Sequence, residues 1–270
     1  ALLPDGFIVY NHDDQIIQSE LSAIRQKAIG YSRYIDSHFN ASKDNIFYND
    51  DVPVGISFIV DNLGDKQEVR VAGVIGVQNV YTYTGAIATA VQCGVSLSDA
   101  VAGLSDHVPP PGRMRVIKGI KGSVLIDDTY NSSPAATEQA LITLKEIRQA
   151  KRKIAILGDM LELGQFSARE HERVGELVPE CADVLFTIGV RARRIAESAL
   201  AFGLSEKMIF QYDDVLRAGR ELQAFIQPGD VILVKASQGI RAEKIVEEVM
   251  FEPEKAPEWL VRQDKAWLAR

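Results

Sequence analysis

The order of apolar and polar positions divides the chain into two stretches of different pattern. From Arg113 onward, short unbroken apolar runs alternate with segments whose apolar residues recur every third or fourth position. The runs include Val124-Leu125-Ile126, Ile154-Ala155-Ile156-Leu157, Val184-Leu185-Phe186-Thr187-Ile188, Met208-Ile209-Phe210 and Val231-Ile232-Leu233-Val234. Between and after them lie the helical faces Ala136, Ala140, Leu141, Leu144 and Ile147, then Val174, Leu177 and Val178, then Ile195 and Leu200. Val215, Ala218, Leu222 and Phe225 form the next face, and Ala242, Ile245, Val246 and Val249 the last. Strands apolar on both faces, each followed by an amphipathic helix, predict a doubly wound, Rossmann-like, mostly parallel α/β sheet covered on both sides. The first half reads differently. Gly6-Phe7-Ile8-Val9-Tyr10 is a predicted strand entering the polar turn Asn11-His12-Asp13-Asp14, and Ile17, Leu21, Ile24 and Ala28 follow it at helical spacing. Between Asn45 and Gly76, two β-rich runs, Ile56 to Val60 and Val69 to Val74, flank Asp61-Asn62-Leu63-Gly64-Asp65 and predict an antiparallel hairpin. Helices from about Asn79 (Val80, Tyr83, Ile87, Ala88, Val91) and around Leu97, Ala100, Val101 and Leu104 close this half.

The stretch Asp106-His107-Val108-Pro109-Pro110-Pro111-Gly112 separates the two patterns. Consecutive prolines are stiff and extended, and a glycine frees one end. The expected organisation is therefore a first domain over 1–110, a second over 111–250, and a tail over 251–270 that packs loosely on its anchors Trp259 and Trp267. An apolar fraction of 46% is that of a globular protein, and no run is long enough to span a membrane. The net charge of −7, with no basic patch that dominates, argues against nucleic acid as a partner. Cys93 and Cys181 lie far apart without metal spacing, as small buried residues in a reducing, cytoplasmic compartment would. No signal peptide is legible, and a monomer is expected. The chain opens on Ala1-Leu2-Leu3-Pro4 without a Met, as a fragment or processed chain would.

Candidate chemistry is concentrated at strand ends. Asp127-Asp128, Gly158-Asp159, Gly189 and Lys235 to Ser237 each follow an apolar run, and in open α/β sheets the carboxyl ends of strands build the ligand crevice. Ser133 before Pro134 is a helix start, so Asp-Asp-Thr-Tyr-Asn-Ser sits on a strand-to-helix turn. A capping turn explains some of these residues; their number and variety point further, to a ligand. In Gly158-Asp159-Met160-Leu161-Glu162-Leu163-Gly164, the glycines allow close approach of backbone, and Asp159 and Glu162 are acceptors for an ammonium. Arg113, just past the prolines, is suited to fork onto a phosphate. The Asn79 amide can both donate and accept. His171, with no partner in view, reads as structural. No Gly-x-x-x-x-Gly-Lys-Ser/Thr loop and no metal-ligand spacing occurs, so neither a catalytic nor a metal-binding residue is assigned within the chain.

Asp127-Asp128-Thr129-Tyr130-Asn131-Ser132-Ser133-Pro134 resembles the Asp-Asp-x-Tyr-Asn-x-x-Pro signature in the C-terminal domain of the Mur ligases. The Gly158 to Gly164 block resembles that of the D-alanyl-D-alanine-adding branch of the family, and His171 with Val174-Gly175 matches its next helix. Val234-Lys235-Ala236-Ser237-Gln238 resembles the family's Val-Lys-Gly-Ser-Arg, with Ala236 and Gln238 departing from it. Gly76-Val77-Gln78-Asn79 resembles Gly-x-His-Asn, with Gln78 in place of His, and Asn11 to Asp14 resembles Asn-x-Asp-Asp. The resemblance implies a C-terminal Rossmann-like domain preceded by an incomplete central ATPase domain. It implies ATP-dependent ligation, with Mg²⁺ and through an acyl-phosphate, of D-alanyl-D-alanine to a UDP-muramoyl-tripeptide. It implies nucleotide contacts by Asn79, Arg113, Asp128, Tyr130 and Asn131, and an amine-substrate side at Asp159, Lys235 and Ser237. The family's phosphate loop, Mg²⁺-binding Glu and carbamylated Lys lie upstream of the point matching Ala1, so the chain alone is expected to be inactive. Other Mur-type or folylpolyglutamate-type ligases share this chemistry, although the diaminopimelate-adding member's Asp-Asn-Pro-Arg is absent. A non-catalytic nucleotide- or dipeptide-binding module remains open. A flavodoxin- or receiver-like module does not account for the β-rich half in front.

Overall fold

The computed structural model describes Leu3 and residues 5–269; Ala1, Leu2 and Pro4 of the opening tetrapeptide lie outside the described residues. The chain divides into two compact units, one running up to Tyr48 and over Val54–Val108, the other comprising Asn49–Pro53 and Pro109 onward.

In the first unit, β1 (Phe7–Asn11), α1 (Gln15–Glu20), β2 (Lys27–Ser32), β3 (Phe39–Asn49), β4 (Val52–Asn62) and β5 (Asp65–Ala72) precede α2 (Val77–Gln92) and α3 (Leu97–Ala102). The five strands lie in chain order in one sheet. β1–β2 and β2–β3 are parallel, and β4–β5 is the antiparallel hairpin. α2 packs on β1 and β2. Two features depart from the sequence pattern. The helix after β1 is only six residues, capped by the Asp14 carboxylate, and none of its residues is fully buried. Ala28, at helical spacing from Ile24, lies in β2 instead, because pairing with β1 supplies a ladder of backbone partners that no helix face competes for. β3 escaped the pattern because its middle, Ser42 to Asn45, is polar and exposed.

The second unit contains β6 (Arg115–Lys118), β7 (Val124–Asp128), α4 (Pro134–Glu146), β8 (Arg152–Gly158), α5 (Ser167–Cys181), β9 (Val184–Ile188), α6 (Arg193–Ala201) and β10 (Ile209–Tyr212). It continues through α7 (Val215–Phe225), β11 (Asp230–Lys235), α8 (Glu243–Val249), α9 (Ala256–Trp259) and α10 (Lys265–Leu268). The strand order is β10-β9-β8-β11-β7-β6. Every pair is parallel except β6–β7, which makes this the doubly wound, mostly parallel sheet. β7, β9 and β11 are buried along their whole length, the reason their sequences show no alternation. β6 is a short edge strand ending in charges at both ends and left no apolar run to read.

The tail does not pack loosely. Ala256 and Leu260 are 1% and 3% exposed and belong to the main core, with Trp259 packed against it. Pro253 and Pro257 stand in the first turns of short helices, where the missing N–H has no partner to lose, so they start structure here and do not loosen it.

Candidate functional site

β11 runs between β8 and β7, and their register sets Lys235 beside Asp128. The Lys235 ammonium donates to Asp128 Oδ2 at 2.6 Å and to the Asn131 carbonyl at 3.0 Å. Asp128 Oδ1 accepts from the Met114 N–H at 3.2 Å. Lys235 and Asp128 are both buried, where either charge alone would be strongly unfavourable and the pair is tolerated because its hydrogen bonds are made. Asp127, fully buried, has no cation in hydrogen-bond contact; Arg115, its cross-strand neighbour on β6, acts on it only through space. Its carboxylate accepts from the Gly112 N–H (3.0 Å), the Thr129 N–H (3.2 Å) and the Thr129 hydroxyl (2.6 Å). Burial pushes its pKa up to about 6 against the pull of these donors, with the neighbouring Asp128 charge adding to the rise.

These bonds staple the segment after the prolines onto the turn. Tyr130 N–H returns a bond to the Gly112 carbonyl at 3.1 Å. Gly112 has φ +68°, and a Cβ there would meet the Tyr130 nitrogen at 2.8 Å, so only glycine permits the approach. The guanidinium of the exposed Arg113 is thereby set 4.0 Å from the centroid of the Tyr130 ring.

Ser237, at the end of β11, joins this turn to the loop after β8. Its hydroxyl accepts from Leu161 N–H at 2.9 Å and lies 3.4 Å from the Ser132 carbonyl. His171 of α5 holds the same loop: Nε2 accepts from Met160 N–H at 2.9 Å while Nδ1 faces the Ser167 carbonyl at 2.7 Å, which fixes the proton on Nδ1. The Asp159 carboxylate turns the other way, accepting from Ala192 N–H at 2.7 Å and pairing with Arg191 at 3.2 Å.

Two crevices flank the turn. One, of about 590 Å³, is lined by Asn131, Ser132, Glu162, Ser237, Arg241 and Trp267 among others. The second, of about 510 Å³, is lined by Arg113, Tyr130, Gln238, Val261, Arg262 and Trp267 among others. Gln238 and Trp267 belong to both. The fold thus brings together Arg113, Asp128, Tyr130, Asn131, Lys235 and Ser237. Asp159 adjoins them through its backbone carbonyl, which accepts from Ser237 N–H at 3.1 Å. Asn79 lies in the first unit, where its amide donates to the Ile75 carbonyl at 2.8 Å and ties down the turn before α2.

The sequence pattern missed Arg241, Glu243, Arg262 and Trp267. Glu243 is fully buried and pairs with both arginines. Arg262 also donates to the carbonyls of Thr129 (3.0 Å) and Tyr130. The only signal for this cluster is the tail's tryptophan anchors: Trp267 reads as an anchor and not as part of a site. Among the described residues, no group of three or more His, Cys, Asp or Glu side chains is placed to hold a metal ion.

The profile of the Mur ligase, glutamate ligase domain family matches residues 112–238. The UDP-N-acetylmuramoyl-tripeptide–D-alanyl-D-alanine ligase of Bacillus subtilis is 28% identical over 256 residues, covering 94% of this chain and 53% of that protein. The chain therefore spans about half the length of this relative. Crystal structure II of MurF from Acinetobacter baumannii is 26% identical with a TM-score of 0.74, covering 90% of this chain and 52% of its own. MurF ligase from Thermotoga maritima in complex with ADP shares the fold, with a TM-score of 0.76 at 22% identity, covering 93% of this chain and 55% of its own.

Proposed function

Residues 112–238 match the Mur ligase, glutamate ligase domain family, and from that match we propose that the chain is the carboxyl-terminal part of an ATP-dependent amide ligase that joins D-alanyl-D-alanine to a UDP-N-acetylmuramoyl-tripeptide. Residues 1–110 are then the later portion of the central ATP-binding domain, residues 111–250 the bulk of the C-terminal domain, and 251–270 its tail. The observation that carries this reading is the pair of crevices meeting at one turn. The crevice at Arg113 and Tyr130 offers a guanidinium whose described contact is a ring and not a carboxylate, a partner for a nucleotide phosphate. The other offers Glu162 for the ammonium of a dipeptide and the Ser237 hydroxyl as a polar group beside it, with Arg241, already paired with Glu243, in its wall.

In such a ligase the peptide carboxylate takes the terminal phosphoryl group of ATP. The dipeptide amine then attacks the acyl carbon, phosphate departs, and the amine loses a proton. The residues of this chain contribute orientation. Arg113 and Tyr130 hold the nucleotide, Asp128 and Lys235 brace the turn, and Asn131 and Ser237 line the amine's approach with Asp159 behind them. Trp267 and Leu161 wall the crevice against water, which would hydrolyse the activated carboxyl. Asn79, within the first unit, carries an amide that can both donate to and accept from an adenine edge. Mg²⁺ does not fit these residues: the oxygens of Asp127 and Asp128 are engaged by N–H and O–H donors and by Lys235, so no step here runs through it. The test is ATP-dependent ligation by the full-length protein with D-alanyl-D-alanine, diaminopimelate or lysine supplied separately. Product with the dipeptide is expected; preference for either amino acid would overturn the assignment.

A further inference from the structure

Three successive carbonyls of the turn after β7 are held by cations. Lys235 takes Asn131, and Arg262, from the tail, takes both Thr129 and Tyr130. The Arg262 side chain is only 6% exposed and is anchored on the Oε2 of buried Glu243 at 3.2 Å. Neutralising Glu243 does not require it, because Arg241 already pairs with that carboxylate. The second guanidinium is therefore surplus to the ion pair, and its remaining donors go to the turn. Its backbone is held at φ +61°, a left-handed conformation that arginine seldom adopts unless its surroundings impose it.

We propose that Arg262 is a positioning residue: anchored on Glu243, it fixes the Thr129–Tyr130 carbonyls and so presents Tyr130, and with it Arg113, to the nucleotide. The nucleotide part of this proposal rests on the ligase reading above; the positioning of the turn does not. The coupling to Arg113 follows from geometry. Tyr130 N–H holds the Gly112 carbonyl, and the Tyr130 ring lies beneath the Arg113 guanidinium. If the two carbonyls are released, Tyr130 is free to swing, and Arg113 loses the surface that orients it. A planar fork can span two successive carbonyls and a carboxylate at once; an ammonium on a flexible stem cannot.

The test uses Arg262→Lys, which keeps the charge and removes the fork. In the chain itself, hydrogen exchange is followed at Tyr130 N–H and at the amides of β7. The Tyr130 amide is expected to exchange roughly tenfold faster or more, the change that loss of one charged hydrogen bond brings, with β7 unchanged. Arg241→Lys serves as control, since it touches Glu243 but neither carbonyl; Tyr130 should stay protected in it. In the full-length protein, Arg262→Lys should raise the KM for ATP several-fold and leave the KM for D-alanyl-D-alanine within about twofold, matching loss of a single well-placed contact. Unchanged Tyr130 protection, equal loss of protection in Arg241→Lys, or deprotection spread evenly over β7 would each overturn the proposal, as would both KM values unaltered or raised together. Failure of the wild-type protein to ligate any dipeptide would sink the ligase reading, and the exchange experiment would still decide the role of Arg262.

Discussion

Asp127 and Asp128 are adjacent in the chain and meet opposite fates, because alternate residues of a strand face opposite sides. Asp128 reaches a lysine, and Asp127 reaches only N–H and O–H donors. For Asp127 the folded pKa, about 6, lies above the ordinary value of 3.8. A carboxyl raised in this way contributes stability that is present in full below the unfolded pKa and is lost as pH rises through the folded one. The carboxyl resonance of Asp127 should accordingly titrate near pH 6. The stability advantage of the wild type over Asp127→Asn should shrink between about pH 4 and pH 7, by up to about 3 kcal/mol, as denaturant melts at each pH can show. A difference that grows with pH would mean that the hydrogen bonds outweigh burial. Lys235 and Asp128 behave as a unit. Lys235→Met leaves a buried carboxylate without its cation and should cost roughly 3–5 kcal/mol. Lys235→Met with Asp128→Leu should cost less than the sum of the two single changes, which a double-mutant cycle measures. Asp128→Ala therefore lowers stability as well as any turnover.

At the scale of elements, the loop after β8 is set by the helix that follows it. His171, on the buried face of α5, accepts the Met160 N–H, so the loop's backbone is completed by a side chain eleven residues later. His171→Ala strands that donor in the interior and should cost roughly 1–3 kcal/mol, with faster exchange of the Met160 amide than of the β8 amides. Equal acceleration across β8 would mean that the histidine serves the whole core and not the loop. β7, β9 and β11 are legible in the sequence because burial on both faces removes polar alternation. β3 and β6 are not, because an exposed middle or a short edge leaves no apolar run. α1 was overextended for a related reason: apolar spacing marks a helix only when a core receives that face, and none of α1 is fully buried.

At the scale of the molecule, the proline stretch falls close to the division between the two compact units, and the second unit reaches into the tail. Leu260 and Ala256 fill its core, so a chain over 109–250 should be less stable than one over 109–269 by at least about 2 kcal/mol, the worth of burying one leucine. Thermal unfolding of the two would show it, and equal midpoints would return the tail to the status of an appendage.

The amino-acid sequence alone determined the parallel, doubly wound class of the second half, the helix start at Ser133-Pro134, and the placing of polar clusters at strand ends. Each of these depends on local period and local chemistry, which a single stretch of chain carries. Only the tertiary structure decided that Lys235 meets Asp128, that Asp159 faces Arg191 and not the crevices, and that a tail arginine holds the turn. Those pairings depend on strand order and on residues distant in the chain: Asp159 and Arg191 are 32 positions apart, Lys235 and Asp128 are 107, and Arg262 and Thr129 are 133. No local pattern encodes them, because the sheet must form before β11 can lie beside β7 and the tail can close over both.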